Sequence, residues 1–110
     1  MRYEVEAGKQ FKKDFKRLYK KYRNISNDLE ILIEDLENNP YIGVDLGNNV
    51  RKIRMAISDK GRGKSHGARV ITYTIELDEE SGTVTLLAIY DKKDRDTITE
   101  KEIKELIDTL

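Results

Sequence analysis

Residues 50–73 read VRKIRMAISDKGRGKSHGARVITY. Two β-like runs are joined there by a glycine-rich loop, and seven cations (Arg51, Lys52, Arg54, Lys60, Arg62, Lys64 and Arg69) are opposed only by Asp59. Side chains alternate along a strand, so Ile53, Met55 and Ile57 share one face of the first run while Lys52 and Arg54 share the other. Like charges crowded on one hairpin repel unless an anionic partner compensates. The expected partner is RNA.

Downstream, the second run continues to residue 77, and 78–82 (DEESG) supplies a tight connection to a third run over 83–91. In that run Val84, Leu86, Leu87, Ala88 and Ile89 are apolar on both faces, which predicts a strand covered from both sides. The three runs form an antiparallel meander. The chain then ends in a helix with Thr99 as N-cap, Glu102 three residues on, and Ile103, Leu106, Ile107 and Leu110 at helical spacing.

Upstream, Tyr3, Val5 and Ala7 alternate with Arg2, Glu4 and Glu6, predicting a short strand before Gly8. Phe11, Phe15, Leu18, Tyr19 and Tyr22 then fall on one stripe of a helix whose outer face is lysine and arginine. A second helix is expected to begin near Ser26 and Asn27, with Asn27 and Glu30 as a capping box and Leu29, Leu32, Ile33 and Leu36 as its core stripe. Its acids face the basic first helix, which predicts a hairpin with complementary surfaces. Pro40 closes it, and 41–49, with Gly43 and Gly47, is expected to be loop. The order is β-α-α-β-β-β-α: an α+β fold in which a twisted antiparallel sheet carries an N-terminal helical hairpin and a C-terminal helix.

The 110 residues are expected to form a single domain, 1–110, around one modest core. There is no cysteine, hence no disulfide framework and no thiolate chemistry. No apolar run approaches the roughly 20 residues that span a bilayer, so a soluble, cytoplasmic protein without a membrane partner is expected. The formal net charge of zero conceals blocks. Residues 1–27 carry nine positive and three negative charges, 28–49 none and six, 50–75 seven and one, and 76–110 five and eleven. Such segregation gives a small protein basic and acidic faces, and the local field steers a polyanion.

Gly61-Arg62-Gly63-Lys64-Ser65 ends like a P-loop, but Ser58 stands where that pattern needs glycine and a β-run follows where it needs a helix. The loop is better read as a cationic turn whose glycines let backbone N–H groups approach phosphates. His66 is the only histidine and nearby acids are few, so a metal site is not expected. Neither is a cofactor. What remains is lysine, arginine and tyrosine, a set suited to cleaving RNA through its own 2′-hydroxyl. That reaction needs a base, positive charge on the phosphorane-like transition state, and an acid for the departing 5′ oxygen. Arginine serves only the second role. Lysine becomes a base where neighbouring cations lower its pKa from about 10.4, a condition that the Arg51, Lys52, Arg54 cluster offers. Tyr73 and Tyr90 are candidate stackers or proton donors, with Tyr73 expected in the core on the Ile71 face. Strict alternation puts Arg69 on that same face, so it is expected to join the cations only from the end of the strand or across a bulge.

The helical hairpin beginning FKKDFKRLYKKY, the strand RKIRMAI, the loop and strand GRGKSHGARVITY, the strand LLAIYDKKD and the helix TEKEIKELI together resemble the RelE/ParE superfamily of bacterial type II toxins. GRGKS-x-GARVI-x-Y resembles its RelE/HigB-like branch. The resemblance covers nearly the whole chain. It implies ribosome-dependent, metal-independent cleavage of mRNA in the decoding site, and neutralisation by a co-encoded antitoxin. By position it makes Lys52 the general base and Arg54 and Arg69 phosphate clamps. Lys93, or Lys92, is the leaving-group or phosphate stabiliser, and Arg51, Lys60, Arg62, Lys64 and Lys92 are RNA-backbone contacts. Relatives that place a tyrosine near the start of the last helix differ from this chain, which has Thr97, Ile98 and Thr99 and only Tyr90 as a substitute. The alternatives are a ParE-like inhibitor of DNA gyrase without nuclease activity, and a non-catalytic member that binds RNA or antitoxin.

Overall fold

A computed structural model describes residues 2–110. The chain runs β1 (Arg2–Ala7), α1 (Lys9–Lys21), α2 (Ile25–Asn38), β2 (Val44–Gly47), β3 (Val50–Met55), β4 (Ala68–Glu76), β5 (Ser81–Asp91) and α3 (Glu100–Asp108), with 3₁₀ turns at Ser58–Lys60 and Lys64–His66 between β3 and β4. The five strands form one sheet in the order β1-β5-β4-β3-β2. Among the described residues no helix is long and apolar enough to cross a membrane.

The predicted meander of β3, β4 and β5 is present and antiparallel. The sheet as a whole is mixed, however, because β1 lies parallel to β5. Its physical origin is the helical hairpin, which carries the chain from β1 at one edge to β2 at the other, so that β5 returns beside β1 by a long crossover.

The segment 41–49, expected to be loop, contains β2. Gly47 pairs with Val50 across a two-residue turn, and Asn48 and Asn49 both have positive φ (53° and 67°). These are the dihedrals of a type I′ hairpin turn, which asparagine tolerates better than most residues. Helix α2 begins at Ile25, earlier than expected, and Asn24 at its N-cap makes no side-chain capping bond. Asn24 is engaged elsewhere: its backbone N–H and its side-chain amide both donate to the Asp59 carboxylate, at 2.9 and 2.7 Å. The one acid of the basic hairpin therefore ties the β3–β4 connection to the start of α2. The acids of α2 form no ion pair with α1 among the described residues. The hairpin is held by Phe11, Leu18, Ile25, Leu32 and Leu36, all buried in one cluster with Ile53, Met55, Val70 and Leu86.

Among the described residues the second face of the sheet is covered by α3 and by Ile98 just before it. Its cluster joins Val50, Ile71, Leu87, Ala88 and Tyr90 to Ile98 and Ile103. The expected capping box is present: the Glu102 backbone N–H donates to Thr99 Oγ1 (3.1 Å), and the Glu102 carboxylate accepts from the Thr99 backbone N–H (3.2 Å). Leu110 lies past the helix and is exposed, outside the predicted stripe.

One irregularity positions the site. The β4–β5 register passes from Ile71 opposite Ala88 to Thr72 opposite Leu86, which leaves Leu87 as an extra residue. A bulge reverses the inward–outward alternation of its strand. Leu86 therefore faces the helical hairpin and Leu87 faces α3; beyond them Ile89 belongs to the first cluster, and Ala88 and Tyr90 to the second.

Candidate active site

In the β3–β4 ladder Arg54 stands opposite Arg69, and in the β4–β5 ladder Arg69 stands opposite Tyr90. The three residues thus form one row across the sheet. Lys52, two residues before Arg54, shares its side by alternation and lies opposite Ile71. Arg69 is therefore on the Ile71 face, as alternation requires, and that face is also the Lys52 and Arg54 face. One side of the sheet is apolar where α3 covers it and cationic at the end from which α3 sets out.

Arg69 is only 5 % exposed. Its guanidinium donates to the carbonyls of Lys64 (3.2 Å), Ser65 (3.2 Å) and Ala68 (3.3 Å), so it props the Lys64–His66 turn against β4. No carboxylate lies within ion-pair distance of it among the described residues. Arg54 is exposed at an open edge, because β2 pairs only with the first part of β3. It lines a pocket of about 140 Å³ with Lys64 and the α2 acids Asp28 and Asp35, and it too lacks an ion pair. Lys52 is half-buried and borders a groove of about 580 Å³ between α3 and the β2–β3 hairpin, beside Tyr73, Ile98 and Ile103.

Tyr90 is buried against the α3 cluster, with Arg95 5.6 Å from its ring centroid, and its hydroxyl has no hydrogen-bond partner among the described residues. Burial pushes its pKa up, and the nearby Arg95 and Arg69 partly oppose that shift. Its ring is covered rather than offered to a base. Tyr73 packs at the margin of the same cluster, as expected.

The remaining basic candidates separate from the row. Arg51 faces the other way, 4.8 Å from the Tyr41 ring centroid and 3.9 Å from Asp45, a structural contact on the hairpin side. Lys60 is committed: its ammonium donates to Asp91 Oδ1 (2.6 Å) and to the His66 carbonyl (2.8 Å). Lys92 pairs with Asp96 (2.5 Å). Lys93 lines a cleft with Tyr22, Lys60, Arg62, His66 and Lys92. Arg62 and Lys64 are exposed.

Asp91 is the residue that sequence reading missed. It is fully buried and accepts from Lys60, from the Lys93 backbone N–H (3.0 Å) and from the Tyr22 hydroxyl (2.9 Å). Burial works against its charged form, but these donors outweigh burial and hold its pKa below the usual carboxylate range. Tyr22, pushed up to about 12 by burial and then by Asp91, stays protonated as a donor. Sixty-nine positions separate Tyr22 from Asp91, and no local pattern announces the pair. Among the described residues no three His, Cys, Asp or Glu side chains come together as a metal-binding group.

Residues 9–109 match the family model described as the RelE toxin of the RelE/RelB toxin–antitoxin system. No curated protein matches the chain.

Proposed function

Because the chain belongs to the RelE toxin family, the toxin partners of toxin–antitoxin pairs, we propose that it is an endoribonuclease that cuts mRNA on the ribosome and so arrests translation. The observation that carries this reading is the Arg54–Arg69 pair. Two guanidiniums in register, one of them buried and neither in an ion pair among the described residues, concentrate positive charge at the open end of the sheet. Preorganised charge of this kind stabilises an anionic transition state without reorganising at the moment of reaction.

In the proposed reaction the 2′ oxygen attacks the adjacent phosphorus, its proton passes to Lys52, and the P–O5′ bond breaks. The products are a 2′,3′-cyclic phosphate and a 5′-hydroxyl whose proton comes from solvent at the exposed edge. Arg54 and Arg69 carry the added phosphoryl charge. The groove beside Lys52 accommodates a neighbouring nucleoside, with Tyr73 and Ile98 as its walls. No step uses a metal or cofactor. The partners are the ribosome with its mRNA, and a cognate antitoxin whose acidic groups neutralise the cations at rest. The proposed location is the cytoplasm.

The test is primer extension on a defined mRNA in a purified translation reaction, comparing the wild-type chain with Lys52→Ala/Arg54→Ala. Cuts confined to the codon in the ribosomal A site and lost in the double variant are expected. Intact mRNA with the wild-type chain overturns the reading and directs attention to DNA gyrase.

A further inference from the structure

We infer that the buried pair Lys60 and Asp91 positions the Arg54–Arg69 row: it fixes the Lys64–His66 turn, and that turn aims the Arg69 guanidinium. The effect on rate rests on the cleavage proposed above; the effect on Arg69 does not. Lys60 then meets no RNA, and both residues of the pair act through Arg69.

The turn presents three successive carbonyls, and each is held by a cation. Arg69 donates to those of Lys64 and Ser65, both at 3.2 Å, and Lys60 donates to that of His66 at 2.8 Å. The far end of the turn is anchored at Gly67, whose N–H donates to the Lys64 carbonyl (3.2 Å) and whose carbonyl accepts from the Lys92 backbone N–H (3.0 Å). Among the described residues no other hydrogen bond ties positions 62–66 to the rest of the fold. Gly61 and Gly63, both at positive φ, lie just before the turn, so local stiffness does not replace those bonds. Arg69 depends on the turn in return. It makes no ion pair among the described residues, and besides the two turn carbonyls it donates only to that of its neighbour Ala68 (3.3 Å). A displaced turn therefore re-aims the guanidinium. Because Arg69 stands opposite Arg54, its aim decides whether both reach one phosphoryl group.

Lys60 can hold its carbonyl because its ammonium is itself held. Its side chain is only 14 % exposed, and Asp91 Oδ1 lies 2.6 Å away. Asp91 is a fixed post, fully buried at the last position of β5, and it also accepts from the Tyr22 hydroxyl and the Lys93 backbone N–H. It stands opposite Ala68, the residue before Arg69, so the register of β4 and β5 sets the distance between post and guanidinium. A buried ion pair adds little net stability, since desolvation offsets its attraction, but it fixes geometry where its hydrogen bonds are complete.

The experiment has two arms. Steady-state cleavage of mRNA on programmed ribosomes gives kcat and KM for wild type, Lys60→Met, Asp91→Asn and the double variant, at a temperature where circular dichroism shows each folded. The double variant leaves no unpaired buried charge, so it serves where either single change fails to fold. The expected result is a fall in kcat of about 10²-fold, the scale of an ångström-sized misplacement at a reacting centre, with KM unchanged. Residues that act as a unit lose no more together than apart, so the double variant is expected to match the singles. A raised, salt-sensitive KM with kcat intact would make Lys60 an RNA contact and overturn the inference. In the second arm, NMR of the free chain follows the Arg69 Nε–H and the His66 and Gly67 N–H resonances. Lys60→Met and the double variant are expected to shift all three and to speed exchange of the Arg69 proton. Unmoved resonances overturn the inference whatever the kinetics. A wild-type chain that cuts no mRNA overturns the proposed cleavage instead, and the second arm then decides the positioning of Arg69 by itself.

Discussion

Arg54 and Arg69 face each other across β3 and β4 with no carboxylate to separate them, yet they differ in what they do for the fold. Arg69 is buried and hydrogen-bonded to three carbonyls, while Arg54 is exposed and makes no side-chain hydrogen bond among the described residues. Directly opposed like charges cost roughly 0.2–1 kcal/mol. Arg54→Ala is therefore expected to leave urea stability unchanged or slightly raised, while cleavage on the ribosome falls about 10²- to 10³-fold, the usual loss for one preorganised charge donor.

Arg69→Ala strips one buried and two half-buried carbonyls of their donor and is expected to destabilise the protein by about 1–3 kcal/mol. Arg69→Lys does not restore it, since an ammonium cannot reproduce the guanidinium fork. Equilibrium urea unfolding of the two variants beside Arg54→Ala checks this. Equal stability for Arg54→Ala and Arg69→Ala would remove the structural role given to Arg69.

The Asp91 hub makes stability depend on pH at both ends of the scale. The Asp91 pKa is depressed on folding, so its contribution is complete above the unfolded value of about 3.9 and is lost as pH falls through the folded value. The Tyr22 pKa is raised to about 12, so its contribution is complete below the unfolded value of about 10 and is lost as pH climbs towards 12. Asp91→Asn leaves the buried end of Lys60 without its counter-charge, an expected cost of about 3–5 kcal/mol at neutral pH. It also removes the share of the acid-side loss that belongs to Asp91, leaving that of Asp59, Asp78, Asp96 and Glu102, and shrinks the alkaline one. Urea midpoints measured from pH 2.5 to pH 11 test all three expectations.

Two glycines of the basic loop are expected to respond differently to alanine. At Gly67 a Cβ would lie 2.1 Å from the Met55 carbonyl oxygen, so backbone must move. At Gly63 nothing stands within 4 Å, and only its φ of +77° opposes a side chain. Gly63→Ala should cost about 1–3 kcal/mol, because its φ of 77° with ψ of −176° is a conformation that essentially only glycine adopts. Gly67→Ala should cost more and displace the Lys64–His66 turn, lowering cleavage as well as the thermal midpoint. Thermal unfolding followed by circular dichroism ranks them.

Helix α3 supplies a separable test of the groove beside Lys52. Thr99→Ala removes the side-chain half of the capping box, the Oγ1 that accepts from the Glu102 backbone N–H, and is expected to cost about 1 kcal/mol. Amide hydrogen exchange should speed up in the first turn of α3 and leave β3 and β4 protected. Loss of protection throughout the sheet would show that α3 and the sheet unfold as one unit.

Much of this was legible in the residues. The stripe from Phe11 to Leu18, the alternation of Ile53 and Met55 against Lys52 and Arg54, and the Thr99–Glu102 box are local patterns, set by the periods of helix and strand, and all of them appear in the fold. The type I′ turn at Asn48 and Asn49 was also written locally, in two adjacent residues that accept positive φ. Three features depended on contacts far apart in the chain. The bulge at Leu87 reverses alternation only because β4 constrains β5, and it decides that Tyr90 and Asp91 face opposite sides. Asn24, and not Asn27, stands at the N-cap of α2, and its amide goes to Asp59, which is packed within reach. Asp91 gathers Tyr22, Lys60 and Lys93, and so divides the basic residues into a row and a cleft. Residue type and spacing determined which cations exist and which strand carries each; only burial and tertiary hydrogen bonding decided which of them spend their charge inside the protein and which keep it for a partner.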